Sequence, residues 1–110
     1  MRWHIFCRVI DNYGDAGVCW RLAADLNQRG ERVCLYIDEP EVLATLLDPA
    51  APMLVQILPW PDSNAVFTCK DVGDVVIEAF ACDPPDAYIA AMANRSRDGS
   101  RHGSPPVWIN

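Results

Sequence analysis

Apolar residues fall in short runs along this chain, separated by stretches with helical spacing or with proline. Residues 3–10, Trp3-His4-Ile5-Phe6-Cys7-Arg8-Val9-Ile10, are mostly apolar and partly β-branched, the pattern of a strand buried on both faces. Residues 17–29 then place Val18, Cys19, Leu22, Ala23 and Leu26 at the spacing of one helix face. Gly30 fits the position just past a helix end. Residues 32–37, Arg32-Val33-Cys34-Leu35-Tyr36-Ile37, predict a second strand. Asp38-Glu39-Pro40 opens a short helix, with Pro40 in its first turn and Val42, Leu43, Leu46 and Leu47 as its apolar stripe.

After a proline-rich break at 48–52, residues 53–58 predict a third strand, ended by Pro59-Trp60-Pro61. Residues 62–73 fit a loop or a short helix. Asp74-Val75-Val76-Ile77-Glu78-Ala79-Phe80 predicts a fourth strand. Asp83 is placed to cap a last helix, with Pro84 and Pro85 in its first turn and Tyr88, Ala91 and Met92 on one face. Residues 94–104 read as a disordered loop. Pro105-Pro106 leads into a fifth strand at 107–110, where Trp108 reads as core. There is no internal repeat. This alternation predicts one α/β unit over residues 1–110: a Rossmann-like parallel sheet with helices on both faces and right-handed crossovers.

Composition narrows the class. A chain of 110 residues is enough for one small domain, and 51% hydrophobic residues are too many for a disordered chain. No apolar run approaches the ~20 residues of a membrane helix, and residues 1–4 do not read as a signal peptide. The expectation is a cytoplasmic protein with no membrane association. The five cysteines, Cys7, Cys19, Cys34, Cys69 and Cys82, are widely spaced and fit reduced, buried thiols. Neither His4 nor His102 has ligand-like spacing to them, so no structural metal is expected. The net charge is −6, divided between −8 over residues 1–94 and +2 beyond. An acidic body argues against nucleic acid as a partner and suits a cationic one.

The chemistry-bearing stretch is Asp11-Asn12-Tyr13-Gly14-Asp15-Ala16-Gly17, between the first strand and the first helix. It brings two carboxylates and two glycines to the carboxyl end of a strand, where open α/β sheets bind ligands. The helix start favours negative charge, so Asp15 fits an N-cap or a base presented to a cleft. Asp11 fits an Asx turn or a cleft acid. Gly14 and Gly17 suit a tight turn and close backbone approach. Tyr13 fits either a cleft wall or ordinary packing. Glu78, near the end of the fourth strand, fits a cleft residue, a cap or a salt-bridge partner. Gly14-x-x-Gly17 is not the dinucleotide fingerprint.

Trp3-x-Ile5-Phe6-Cys7-x-Val9-Ile10-Asp11-Asn12-Tyr13-Gly14-Asp15-x-Gly17-Val18-x-Trp20-Arg21-Leu22-Ala23 closely resembles the start of the EarP family, protein-arginine rhamnosyltransferases that modify translation elongation factor P. Asp74-Val75-Val76-Ile77-Glu78-Ala79-Phe80-Ala81-Cys82 and Pro106-Val107-Trp108-Ile109-Asn110 match as well. Residues 94–104 depart from the pattern, since the family connection before the last strand is usually shorter. The resemblance implies the N-terminal, acceptor-side part of a GT-B glycosyltransferase, with family members continuing past Asn110 into a donor-binding domain. It implies inverting transfer of rhamnose from dTDP-β-L-rhamnose to an arginine of elongation factor P, with no cofactor and no metal. Asp15 matches the family's catalytic base and Asp11 its second acid, for acceptor positioning or loop support. Asn12, Tyr13, Gly14, Gly17 and Glu78 are the candidate substrate-binding residues. The alternatives are a non-catalytic acidic module that holds a basic protein loop, and a generic nucleotide-binding α/β domain.

Overall fold

The computed structural model describes residues 1–9, 14–45, 55–62, 64–68, 71–79, 82–97 and 106–109. In chain order the elements are β1 (Arg2–Cys7), α1 (Gly14–Gln28), β2 (Arg32–Ile37), a 3₁₀ helix (Pro40–Thr45), β3 (Val55–Pro59), β4 (Val75–Glu78), α2 (Asp86–Arg97) and β5 (Val107–Ile109). The strands form one parallel sheet in the order β3-β2-β1-β4-β5. Strands built almost wholly of apolar residues need cover on both faces, and the two helices supply it. On one face Ala16, Cys19, Ala23 and Leu26 of α1 pack on Ile5, Cys7, Leu35 and Ile37. On the other, Tyr88, Ala91 and Met92 of α2 pack on Phe6, Tyr36 and Val76. Burying each Ile or Leu fully in such a layer is worth roughly 1.5–3 kcal/mol. The fold is the Rossmann-like α/β arrangement that the alternation predicts.

Several boundaries differ from the sequence expectation, each for a physical reason. α1 starts at Gly14, three residues before Gly17, because Ala16 extends the buried stripe by a turn; Val18, expected on that stripe, is exposed. Its end is as expected. Gly30 has φ +87°, and the bonds Glu31 N–H to Leu26 O (3.1 Å) and Gly30 N–H to Asn27 O (3.0 Å) close a Schellman cap. β3 begins at Val55; Met53 and Leu54 lie outside the described residues. Pro59 ends β3, tolerated because β3 is an edge strand.

α2 starts after both prolines. The Pro85 carbonyl accepts from the amides of Tyr88 (2.9 Å) and Ile89 (3.0 Å), so Pro85, not Asp83, holds the cap position. A residue preceding proline avoids the helical region, which keeps Asp83 and Pro84 outside the helix. α2 also runs on to Arg97, so residues 94–97 are helical, while 98–104 lie outside the described residues. Trp108, expected in the core, is 46% exposed: β5 is an edge strand of three residues, exposed along its length. Among the described residues no helix is long and apolar enough to cross a membrane.

Two polar groups anchor α2. Arg95, expected in a polar tail, is buried; it donates from Nη2 to Asp74 Oδ1 at 2.7 Å and from Nη1 to Gly73 O at 2.9 Å. Burial opposes ionisation of Asp74, but the Arg2 amide (2.8 Å) and Arg95 outweigh it and hold the carboxyl below its ordinary range. Nearby, the Gly73 amide donates to Tyr88 Oη at 3.0 Å, which directs the tyrosine hydroxyl onto His4 Nδ1 at 2.8 Å. A Cβ at Gly73 would stand 2.9 Å from the His4 ring, so only glycine fits there.

Burial, reinforced by the Arg2 charge, pushes His4 from 6.5 down to about 4. Because the folded value lies below the unfolded one, the stability His4 confers is complete above pH 6.5 and is lost as pH falls toward 4. The loss should reach about 3 kcal/mol. Urea denaturation across this range should show it, and His4→Gln should flatten that part of the profile. A wild-type profile level between pH 6.5 and 4 would contradict the assignment.

Candidate functional site

The site is built where β1 and β4 part. β1 leads through α1 to β2 on one side, and β4 leads through α2 to β5 on the other. Between two such strands the connections diverge and leave a crevice at the carboxyl edge, the ligand position of open α/β sheets. Asp15 and Glu78 both lie at this edge, one in the first turn of α1 and one at the last position of β4.

Asp15 lies inside α1, and its carboxylate makes no hydrogen bond or ion pair with any described residue. It therefore caps no described amide, and the helix end stabilises its charge without consuming its oxygens. Its carbonyl oxygen accepts a weak bond from Cys7 Sγ at 3.8 Å, which fastens the first turn of α1 to the end of β1. Gly14 and Gly17 are both helical, so neither makes the tight turn expected of them. What Gly17 contributes is room, since a Cβ there would meet nothing within 4 Å. Asp11, Asn12 and Tyr13 lie outside the described residues. Glu78 is 5% exposed, and among the described residues it has neither the ion pair nor the capping role that its position allowed.

The sequence reading missed three supports of this edge. Asp38, read as the start of a helix, accepts the Val9 amide at Oδ1 (2.8 Å) and ties the ends of β1 and β2 together. Cys82 Sγ donates to the Phe6 carbonyl at 3.1 Å and bridges β1 to the segment after β4. Arg8 lies over the Trp60 ring, 4.6 Å from its centroid, a cation–π contact. The visible signals were an Asp directly after a strand and a Cys at the end of the fourth-strand run.

The surroundings of Cys7, Cys34 and Cys82 disfavour the thiolate. The hydrogen bond with Cys19, together with burial, pushes the Cys7 thiol up. Burial does the same to Cys82 and brings Cys34 to about 11. Thiols held in this way are inert. Cys7, Cys19, Cys34 and Cys82 are free and buried, and Cys69 lies outside the described residues. Among the described residues no three His, Cys, Asp or Glu side chains come together to hold a metal ion. A groove of about 420 Å³ lined by Arg2, Trp3, His4, Arg32, Val33, Cys34 and Gln56 opens at the opposite, amino end of the sheet and contains none of the candidate residues.

Comparison with known proteins places the sequence in a family. The family model described as "Elongation-Factor P (EF-P) rhamnosyltransferase EarP" matches residues 3–110. The chain is 42% identical over 113 residues to a protein-arginine rhamnosyltransferase of Pseudomonas aeruginosa, covering 98% of this chain and 28% of that protein. It is 38% identical over 116 residues to the protein of the same description from Pseudomonas putida, again covering 98% and 28%. Against that of Neisseria meningitidis serogroup B it is 38% identical over 112 residues, covering 96% and 27%. The chain thus spans little more than a quarter of the length of the curated relatives it matches. On the match across residues 3–110 and these identities, the chain belongs to the EarP family.

Proposed function

We propose that this chain is the acceptor-side part of a protein-arginine rhamnosyltransferase of GT-B architecture, working in the cytoplasm. In this reading the remainder of the full-length protein binds dTDP-β-L-rhamnose, and this part receives an arginine of elongation factor P. The observation that carries it is the Asp15 carboxylate at the first turn of α1, beside the β1–β4 divergence and without a partner among the described residues.

The chemistry follows from the acceptor. A guanidinium has a pKa above ~12 and no free lone pair for attack. A carboxylate can hold it through charge-assisted hydrogen bonds and take a proton as the new bond forms. In a single displacement the acceptor nitrogen bonds to the anomeric carbon, the bond to the nucleotide diphosphate breaks, and the configuration inverts. Only one base is needed, on the face opposite the leaving group. Asp15 fills that role. Asp11, the second acid of the motif, serves acceptor positioning or loop support, and Asn12, Tyr13 and Gly14 are the adjacent substrate-binding candidates in sequence. No cofactor or metal is assigned.

Asp15→Asn in the full-length protein should abolish transfer to elongation factor P, followed by intact mass, while leaving the circular dichroism spectrum and melting temperature unchanged. Retained turnover in a folded variant would refute the base assignment. Gly17→Ala adds a methyl into open space and should stabilise α1 by up to about 1 kcal/mol. If the acceptor approaches this turn, the same change should lower transfer; equal activity with higher stability would show that Gly17 borders no substrate.

A further inference from the structure

Three buried side-chain polar atoms have no hydrogen-bond partner among the described residues: Trp3 Nε1, Glu31 Oε2 and Glu78 Oε2. Trp3 is a neutral donor, and Glu31 has the N-terminal ammonium 3.1 Å away. Glu78 is different. It is 5% exposed, and among the described residues its Oε2 has neither a donor nor a cation. The cations nearby are committed elsewhere. Arg8 lies over Trp60, while Arg2 and Arg95 are bound at the opposite end of β4 to Val72 O and Asp74. The register partner of Glu78 is Phe6, and the Sγ of neighbouring Cys82 is spent on the Phe6 carbonyl. A buried carboxylate oxygen left without a donor is unfavourable, and an incoming donor would relieve it. The unpartnered oxygen is an acceptor position open to an N–H donor.

Its position says where such a donor enters. Glu78 ends β4 beside β1, at the point where the two strands' connections diverge. Asp15 approaches the same divergence from α1. We propose that Glu78 is an acceptor-binding residue: its free oxygen accepts one N–H of the acceptor guanidinium and sets the plane of that group, while Asp15 engages the reacting nitrogen. This inference rests on the acceptor-side reading above. The planar fork of arginine has five N–H donors and can serve two carboxylates at once; the ammonium of lysine, a compact point charge, cannot be held in a plane in this way. Glu78 thereby contributes selectivity for arginine as well as affinity.

The test is steady-state kinetics of the full-length protein with Glu78→Gln, alongside its melting temperature. The expected result is an acceptor KM raised about ten- to a hundredfold, an unchanged donor KM, and a melting temperature equal to or above the wild type's. Glu78→Asp, which keeps the charge, should recover part of the acceptor affinity. A folded Glu78→Gln with the wild-type acceptor KM overturns the proposal. A lower melting temperature with both KM values raised also overturns it, because that pattern marks a structural residue. A wild-type protein that transfers nothing to arginine contradicts the functional reading instead, whereas active wild type with an indifferent Glu78→Gln contradicts this inference alone.

Discussion

β1 has a parallel neighbour on each side, and the candidate site hangs from its carboxyl end. Three contacts hold that end. The Val9 amide is bound by Asp38 from β2, the Phe6 carbonyl accepts from Cys82 beyond β4, and Cys7 Sγ reaches the Asp15 carbonyl in α1. Each joins β1 to the element that follows a different strand. Below them Phe6 is locked among aromatic rings, stacked on Tyr36 at 4.7 Å and edge-on to Tyr88 and Trp60 at 4.7 and 5.6 Å. A strand fixed in this way braces the first turn of α1 beside the point where the β1 and β4 connections diverge, the ligand position of open α/β sheets.

Charged side chains are engaged differently at the two ends of the sheet. At the amino end Asp74, Arg95, Arg2, His4 and Tyr88 are bound to one another or to backbone, and they set how α2 sits. At the carboxyl end the Asp15 carboxylate has no partner among the described residues, and the same holds for Glu78 Oε2. The charged groups at the amino end are paired internally, while the two candidate acids keep oxygens without a partner among the described residues. That division is characteristic of binding sites, where groups needed for function are held at some cost to the fold.

Local pattern made much of this legible. β2 could be read residue for residue because the apolar run Val33–Ile37 stands between the charged Glu31-Arg32 and Asp38. The cap at Gly30 followed from glycine alone, and Asp15 stood out because its motif joins a strand to a helix. The differences arise where distant residues decide. The start of α1 depended on Ala16 finding a place against the sheet, and the fate of Arg95 depended on Asp74, 21 positions away. Trp108 is apolar enough for a core, yet its strand lies at the sheet edge. That Glu78 Oε2 has no partner among the described residues is likewise a property of its surroundings, invisible in a run that reads only as a strand. Asp11, Asn12 and Tyr13 were conspicuous in sequence and lie outside the described residues.

The central claim is that this edge receives an arginine for glycosylation. Its most direct test is peptide-level mass spectrometry of elongation factor P incubated with the full-length protein and dTDP-β-L-rhamnose. The account predicts a gain of one deoxyhexose, localised to a single arginine. An acceptor unchanged in mass, or a sugar carried on any other residue type, would contradict it.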